Sequence, residues 1–114
     1  MTRASLVLGA AGEDLAAAWY QARGYAVVTR NWRCRQGELD LIVRRGRTVV
    51  FCEVKTRSSL GYGSPAEAVT VTKQRRIRGL AAAWLRQAGA GGVEVRFDVA
   101  AVLDGTVEVI EAAF

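Results

Sequence analysis

Apolar positions along the chain recur with two periods, and the switches between them mark out the elements. Between residues 6 and 23, Leu8, Ala11, Leu15, Ala18 and Trp19 return near every 3.6 residues in an alanine-rich run. That pattern predicts a helix, with Gly24 as its C-terminal cap. Residues 25–30 read as a strand from their β-branched content, and residues 31–37 as a basic connection carrying Trp32. Residues 37–57 hold two strands joined tightly at Arg45-Gly46-Arg47. A loop with Gly61-Tyr62-Gly63 covers 58–64, and Pro65 suits the first turn of a helix over 66–88 built on Ala68, Val69, Ile77, Leu80, Ala81, Trp84 and Leu85. Gly89 to Gly92 ends that helix. Residues 93–103 form a strand with Phe97 and Val99 inside, Asp104-Gly105 is a hairpin turn, and 106–110 returns as an edge strand. The order is helix, three strands, helix, two strands: an α/β fold with a central mixed sheet flanked by helices. No repeat or linker divides the 114 residues, a length that suits one domain with one core.

Side chains alternate across a strand. Glu38, Asp40 and Ile42 therefore share one face of the first hairpin strand, and Val49, Phe51, Glu53 and Lys55 one face of the second. Folding about Gly46 brings Asp40 opposite the neighbourhood of Cys52 and Glu53. If the register puts them on one face, Asp40, Glu53 and Lys55 converge. Two carboxylates and an ammonium at that spacing can bind a divalent cation and place a water beside it. A salt-bridged surface hairpin accounts for the same charges. Against it, both faces are also apolar: Leu39, Leu41 and Val43 with Val50 and Val54 on one, Ile42, Val49 and Phe51 on the other. Strands apolar on both sides are covered on both sides, where a charge without a role is costly.

Composition narrows the chemistry. The chain has no histidine, which excludes His-dependent triads and His-Cys zinc sites. Its two cysteines, Cys34 and Cys52, form no CxxC, so reduced thiols in the cytoplasm are the simplest expectation. No apolar run reaches the length of a membrane span. The net charge of +5 is unevenly placed: 15 Lys and Arg against 6 Asp and Glu up to Arg86 give +9, and the remainder carries −4. Fourteen of the 16 cations are Arg, which suits bidentate phosphate contacts, although a GC-rich genome also enriches Arg and Ala. The lysines are two, Lys55 and Lys73. Arg33, Arg35, Arg57, Lys73, Arg75 and Arg76 are the cations expected to face a phosphate backbone, with Tyr62 stacking or hydrogen-bonding from its loop. Trp32 either stacks on a base or belongs to the core. Glu13 is either a solvated helical carboxylate or reaches the hairpin acids.

Taken together, Asp40 and Glu53-Val54-Lys55 across a hairpin resemble the PD-(D/E)xK nuclease superfamily, the restriction-endonuclease-like fold. Leu39 stands where that pattern has proline. The ordered set Gly12-Glu13, Gly24-Tyr25, Asn31-Trp32-Arg33, Gly37-Glu38-Leu39-Asp40, Phe51-Cys52-Glu53-Val54-Lys55-Thr56-Arg57, Lys73-Gln74 and Arg96-Phe97-Asp98-Val99 resembles the YraN family. Those are small bacterial proteins similar to archaeal Holliday-junction resolvases. The resemblance covers nearly the whole chain, and implies one restriction-endonuclease-like domain over 1–114. It implies Glu13, Asp40, Glu53 and Lys55 as the catalytic constellation, with Gln74 in support. Asp40 and Glu53 would bind Mg²⁺ or Mn²⁺, Lys55 would orient or polarise the attacking water, and Glu13 would hold a second metal or a water. It also implies DNA, branched or in recombination, as the partner, and a homodimer.

Two functions from different classes stay open on the sequence. One is a metal-dependent DNA endonuclease. The other is a nucleic-acid-binding or partner-docking module with a non-catalytic, nuclease-like site.

Overall fold

The structure, a computed structural model, describes residues 3–57 and 69–114. The loop with Tyr62, Pro65 and the expected helix start at 66 lie outside the described residues. Helix α1 spans Arg3–Gln21, followed by strands β1 (Ala26–Cys34), β2 (Gly37–Arg45) and β3 (Thr48–Arg57). Helix α2 (Val71–Ala88) precedes β4 (Glu94–Leu103) and β5 (Thr106–Ile110). This is the expected α-β-β-β-α-β-β order of the restriction-endonuclease-like arrangement. The five strands form one mixed sheet in the order β1-β2-β3-β4-β5. β1, β2 and β3 pair antiparallel as successive hairpins, β3 and β4 pair parallel from Thr48↔Glu94 to Arg57↔Leu103, and β5 returns antiparallel on β4. Parallel neighbours need a crossover, and α2 lies in it.

β3 is covered on both faces, as its doubly apolar sequence requires. Val49 and Phe51 face a core completed by Ile77, Leu80 and Ala81 of α2. Val50 and Cys52 face a second core completed by Ala16, Ala17 and Tyr20 of α1. One expectation fails in β2. Leu39, Leu41 and Val43 do not share a face: Leu39 joins the α2-side core while Leu41 and Val43 join the α1-side core. The paired β2–β3 ladder ends at Leu41↔Cys52. Beyond it β2 is paired with the irregular β1 but no longer with β3, and strict alternation lapses.

Two boundaries also differ from expectation. β1 runs on through 31–34, read above as a connection, because these residues pair with β2 up to Cys34↔Gly37. Trp32 lies opposite Leu39 and packs on the α2-side core. The strand is irregular, with a register slip between Val27 and Thr29 and a left-handed Asn31 at φ 52°. Helix α2 starts at Val71, since the Thr70 hydroxyl accepts the Lys73 N–H and caps it. Val69, read above as helical, precedes the cap and is buried in the α2-side core. The Asp104-Gly105 turn has φ 49° and 76°, the two positive angles that a tight hairpin of this twist demands.

Two contacts fix α1 on the sheet. At Gly12 the helix backbone lies so close to β3 that a Cβ would overlap the Thr56 hydroxyl, so glycine is required by space. Deeper in, Asp98 of β4 is fully buried. Its carboxylate accepts the Tyr20 hydroxyl at 2.6 Å, Arg96 Nε and Nη2 at 2.9 Å each, and the Ala112 N–H at 3.0 Å. Burial pushes the Tyr20 phenol far up, so it stays a donor. A buried carboxylate met by four donors is satisfied rather than strained. It ties α1, β4 and the residues after β5 to one point. No described helix is long and apolar enough to cross a membrane.

Candidate functional site

The site forms where the β2–β3 hairpin opens beside the first turn of α2. Continuing the register past Leu41↔Cys52 sets Asp40 opposite Glu53. At this point the Asp40 side chain takes over from the ladder: its Oδ2 accepts the Val54 N–H at 2.9 Å. That bond holds the carboxylate against β3. Burial pushes the Asp40 carboxyl up to about 7, and the neighbouring Glu53 carboxylate adds to the rise. The Val54 N–H opposes both and is outweighed; Glu13 and Glu38 add at longer range. The expected convergence of Asp40 and Glu53 is therefore present.

Glu53 is the better neutralised of the two. Its side chain is only 10% exposed. Lys73 Nζ stands 2.8 Å from Glu53 Oε1, and Lys55 Nζ stands 3.6 Å from the same oxygen. Lys55 reaches it from two residues along β3, Lys73 from the third residue of α2. Burial, and then the adjoining Lys73 ammonium, lower the Lys55 ammonium. Burial also acts to lower Lys73, but its bond to Glu53 prevails and holds it raised. Lys73, grouped above with the phosphate contacts, is thus part of the carboxylate cluster.

Glu13 approaches from α1. Its Oε2 accepts the Asn31 side-chain amide at 2.9 Å and lies 3.6 Å from Arg30, which bonds Asp14 at 2.7 Å. It is tethered to β1 and acts on Asp40 through its field. Gln74 sits on the same turn of α2 as Lys73, and its amide donates to the Val69 carbonyl at 3.1 Å, fixing the residues that enter the helix.

The arginines divide into two settings. Arg33 is bonded to Glu38 at 2.9 Å. Exposed Arg75 and Arg76 line an open groove of about 350 Å³ with Gln36, Gly79, Leu80, Ala83 and Arg86. Gly37 approaches Leu80 and Arg76, so the β1–β2 turn that carries Arg35 borders this groove. Arg57 closes β3, opposite Leu103.

Several residues escaped the sequence reading. Asn31 and Arg30 hold Glu13, and Arg86 extends the basic groove. Asp98 was noted only within a motif. The legible signal for it was an acid between Phe97 and Val99 in a strand, two residues after an arginine that can reach it.

Among the described residues, no group of three or more cysteines or carboxylates is gathered tightly enough to cage a metal ion. Two carboxylates are nevertheless what Mg²⁺ takes from a protein when waters and a substrate phosphate complete its octahedron. Asp40 and Glu53 offer that donor set, held from two strands. The residues present fit Mg²⁺ or Mn²⁺.

The chain matches the model of the family described as "Uncharacterised protein family UPF0102" over residues 12–102, a span that contains Glu13, Asp40, Glu53, Lys55, Lys73 and Gln74. A UPF0102 protein of Rhodococcus jostii is 59% identical over 101 residues, covering 89% of this chain and 86% of that one. One from Nocardia farcinica is 56% identical, covering 84% and 76%. One from Geobacter sulfurreducens is 52% identical, covering 84% and 75%. With the fold, the hairpin acids and these matches in agreement over most of its length, the chain belongs to the UPF0102 family, the group that its motifs resemble under the name YraN.

Proposed function

We propose that this protein is a metal-dependent DNA endonuclease that hydrolyses phosphodiesters. One observation carries the reading: Asp40 and Glu53 are held side by side from two strands, with the Asp40 carboxyl pushed up to about 7 by burial and by its neighbour. Groups so perturbed in a shared notch are favoured functional candidates. A divalent cation bound there supplies Lewis-acid polarisation of the scissile phosphate. Lys55 presents an ammonium from the Glu53 strand face, where it stabilises charge that grows on the phosphate oxygens during attack. Asp40 and Glu53 orient the attacking water, and Glu13, fixed by Asn31, holds the far side of the site. Arg35, Arg75, Arg76 and Arg86 border one groove and position the sugar-phosphate backbone without reading sequence.

The resolvase resemblance extends the reading to branched DNA, and to a homodimer that presents two sites to two strands. Light scattering at working concentration tests the dimer, and a monomer there refutes it. The two free cysteines suit the cytoplasm.

A second reading, a nucleic-acid-binding module that does not cut, draws support from the Lys73–Glu53 ion pair, which already fills one carboxylate. Supercoiled plasmid and a four-way junction, each incubated with Mg²⁺ or Mn²⁺, separate the two. Nicking that disappears in Glu53→Ala supports the nuclease. Binding without nicking above that control supports the second reading.

A further inference from the structure

Lys73 is placed against local preference. It occupies the third position of α2, where a capping box would carry Glu or Gln, and the first turn of that helix holds no acid. A cation there opposes the helix dipole, which favours negative charge at an N-terminus. Its backbone is fixed by the Thr70 cap, and its ammonium is fixed by Glu53 at 2.8 Å, closer than Lys55 at 3.6 Å. The residue type is telling as well. The chain uses Arg for 14 of its 16 cations, yet both of its lysines lie on this one carboxylate. Arg would grip a carboxylate with a bidentate fork, whereas Lys offers a compact charge on a flexible stem that releases readily.

Charge balance adds a second constraint. Asp40 and Glu53 bring at most two negative charges, and Lys55 and Lys73 bring two positive ones. A dication entering with both ammoniums in place leaves the notch strongly positive. Like charges a few ångström apart in a half-buried site repel by amounts that decide occupancy. Lys55 is held to β3 by the backbone that also presents Glu53. Lys73 enters from another element, and its side chain is 33% exposed, so it has a way out to solvent.

We infer that Lys73 is the resident counter-cation of Glu53 in the metal-free protein, and that a divalent metal must displace its ammonium to bind. The inference rests on the metal-site reading above and deepens it. Once displaced, the ammonium is available to the phosphate that arrives with the metal. Metal and phosphodiester therefore bind more tightly together than separately.

Calorimetric titration with Mn²⁺ in the absence of DNA tests this on four proteins: wild type, Lys73→Met, Lys73→Gln and Glu53→Gln. Both Lys73 variants keep an unbranched side chain at a partly exposed position, and melting curves in chelator check their folding. With no Lys73–Glu53 ion pair to break, both Lys73 variants should bind Mn²⁺ about tenfold more tightly, the scale left after solvent screening of a few-ångström charge pair. Equal or weaker Mn²⁺ affinity in the Lys73 variants, with Glu53→Gln losing binding, overturns the displacement and leaves the metal site standing. Absence of Mn²⁺ binding in wild type and both Lys73 variants overturns the metal-site reading and the displacement with it. Binding gained only when Lys73 is removed supports the inference in its strongest form.

Discussion

Replacing Asp40 by Asn should stabilise the metal-free protein at alkaline pH and not at acid pH. Asparagine keeps the shape and an oxygen to accept the Val54 N–H, while removing the charge that burial and Glu53 oppose. The ordinary value of 3.8 is pushed up to about 7 in the fold. The sign follows from linkage: an acid whose folded value is raised contributes most stability below its unfolded value, and loses that contribution as pH rises through the folded one. The window is thus pH 4 to about 7. A rise of about 3 units at 1.36 kcal/mol each sets a ceiling of about 4 kcal/mol. Asp40 is only partly buried and water screens its repulsion, so about 2 kcal/mol is expected above pH 8. Urea melts in chelator at pH 5, 6, 7 and 8 measure the gap between variant and wild type. It should widen with pH, then narrow on adding Mn²⁺, which the wild type alone can use. A gap constant within about 0.5 kcal/mol over that range, the ordinary scatter for surface substitutions, would refute the strained carboxylate pair.

Lys55→Ala should abolish nicking without weakening Mn²⁺ binding, whereas Glu53→Gln should weaken Mn²⁺ as well, because a neutral amide is a poorer ligand for a dication; normal cutting by the first overturns the role given to Lys55. Arg75→Ala with Arg76→Ala should weaken DNA binding for every sequence alike and flatten its salt dependence by about 0.9 per lost phosphate contact, whereas Arg33→Ala should do less because Glu38 already holds that guanidinium. Filter binding across a salt series measures both. Gly12→Ala should destabilise the fold by about 1–3 kcal/mol through overlap with the Thr56 hydroxyl, and adding Thr56→Ala should return much of the loss in thermal melts.

The features that could be read from sequence were those set by neighbours along the chain. Period-2 alternation in residues 37–57 and the Asp104-Gly105 turn located the hairpins, and the doubly apolar β3 announced a strand covered on both faces. Asp40 and Glu53 came together because hairpin register is fixed by its turn. What was illegible depends on contacts between distant segments. Residues 31–34 carry too little β-branched character to read as strand, and become one only by pairing with β2. Pro65 suggests a helix from 66, but the hydroxyl bond at Thr70 fixes where α2 begins. Leu39 left its expected face where pairing with β3 stops. Lys73 reads from sequence as one of the phosphate-facing cations of the second helix, and only the fold puts it on Glu53. Asp98 has no role that the sequence assigns, because the hydroxyl that donates to it belongs to Tyr20, 78 residues away.

The irregularity of β1 bears on how copies of this protein can meet. β1 is an edge strand, and an unbroken edge nine residues long would offer its unpaired amides and carbonyls to any passing strand. The slip between Val27 and Thr29 and the left-handed turn of Asn31 cut that edge into short pieces. Each piece is a poorer template for a ladder with a second molecule than an unbroken strand would be. The same Asn31 whose backbone interrupts the edge anchors Glu13 through its side chain. One residue thus contributes both to interrupting the β1 edge and to placing Glu13. Any pairing of two protomers that preserves both must avoid a sheet continued across β1, which leaves the β5 edge and the faces of the molecule.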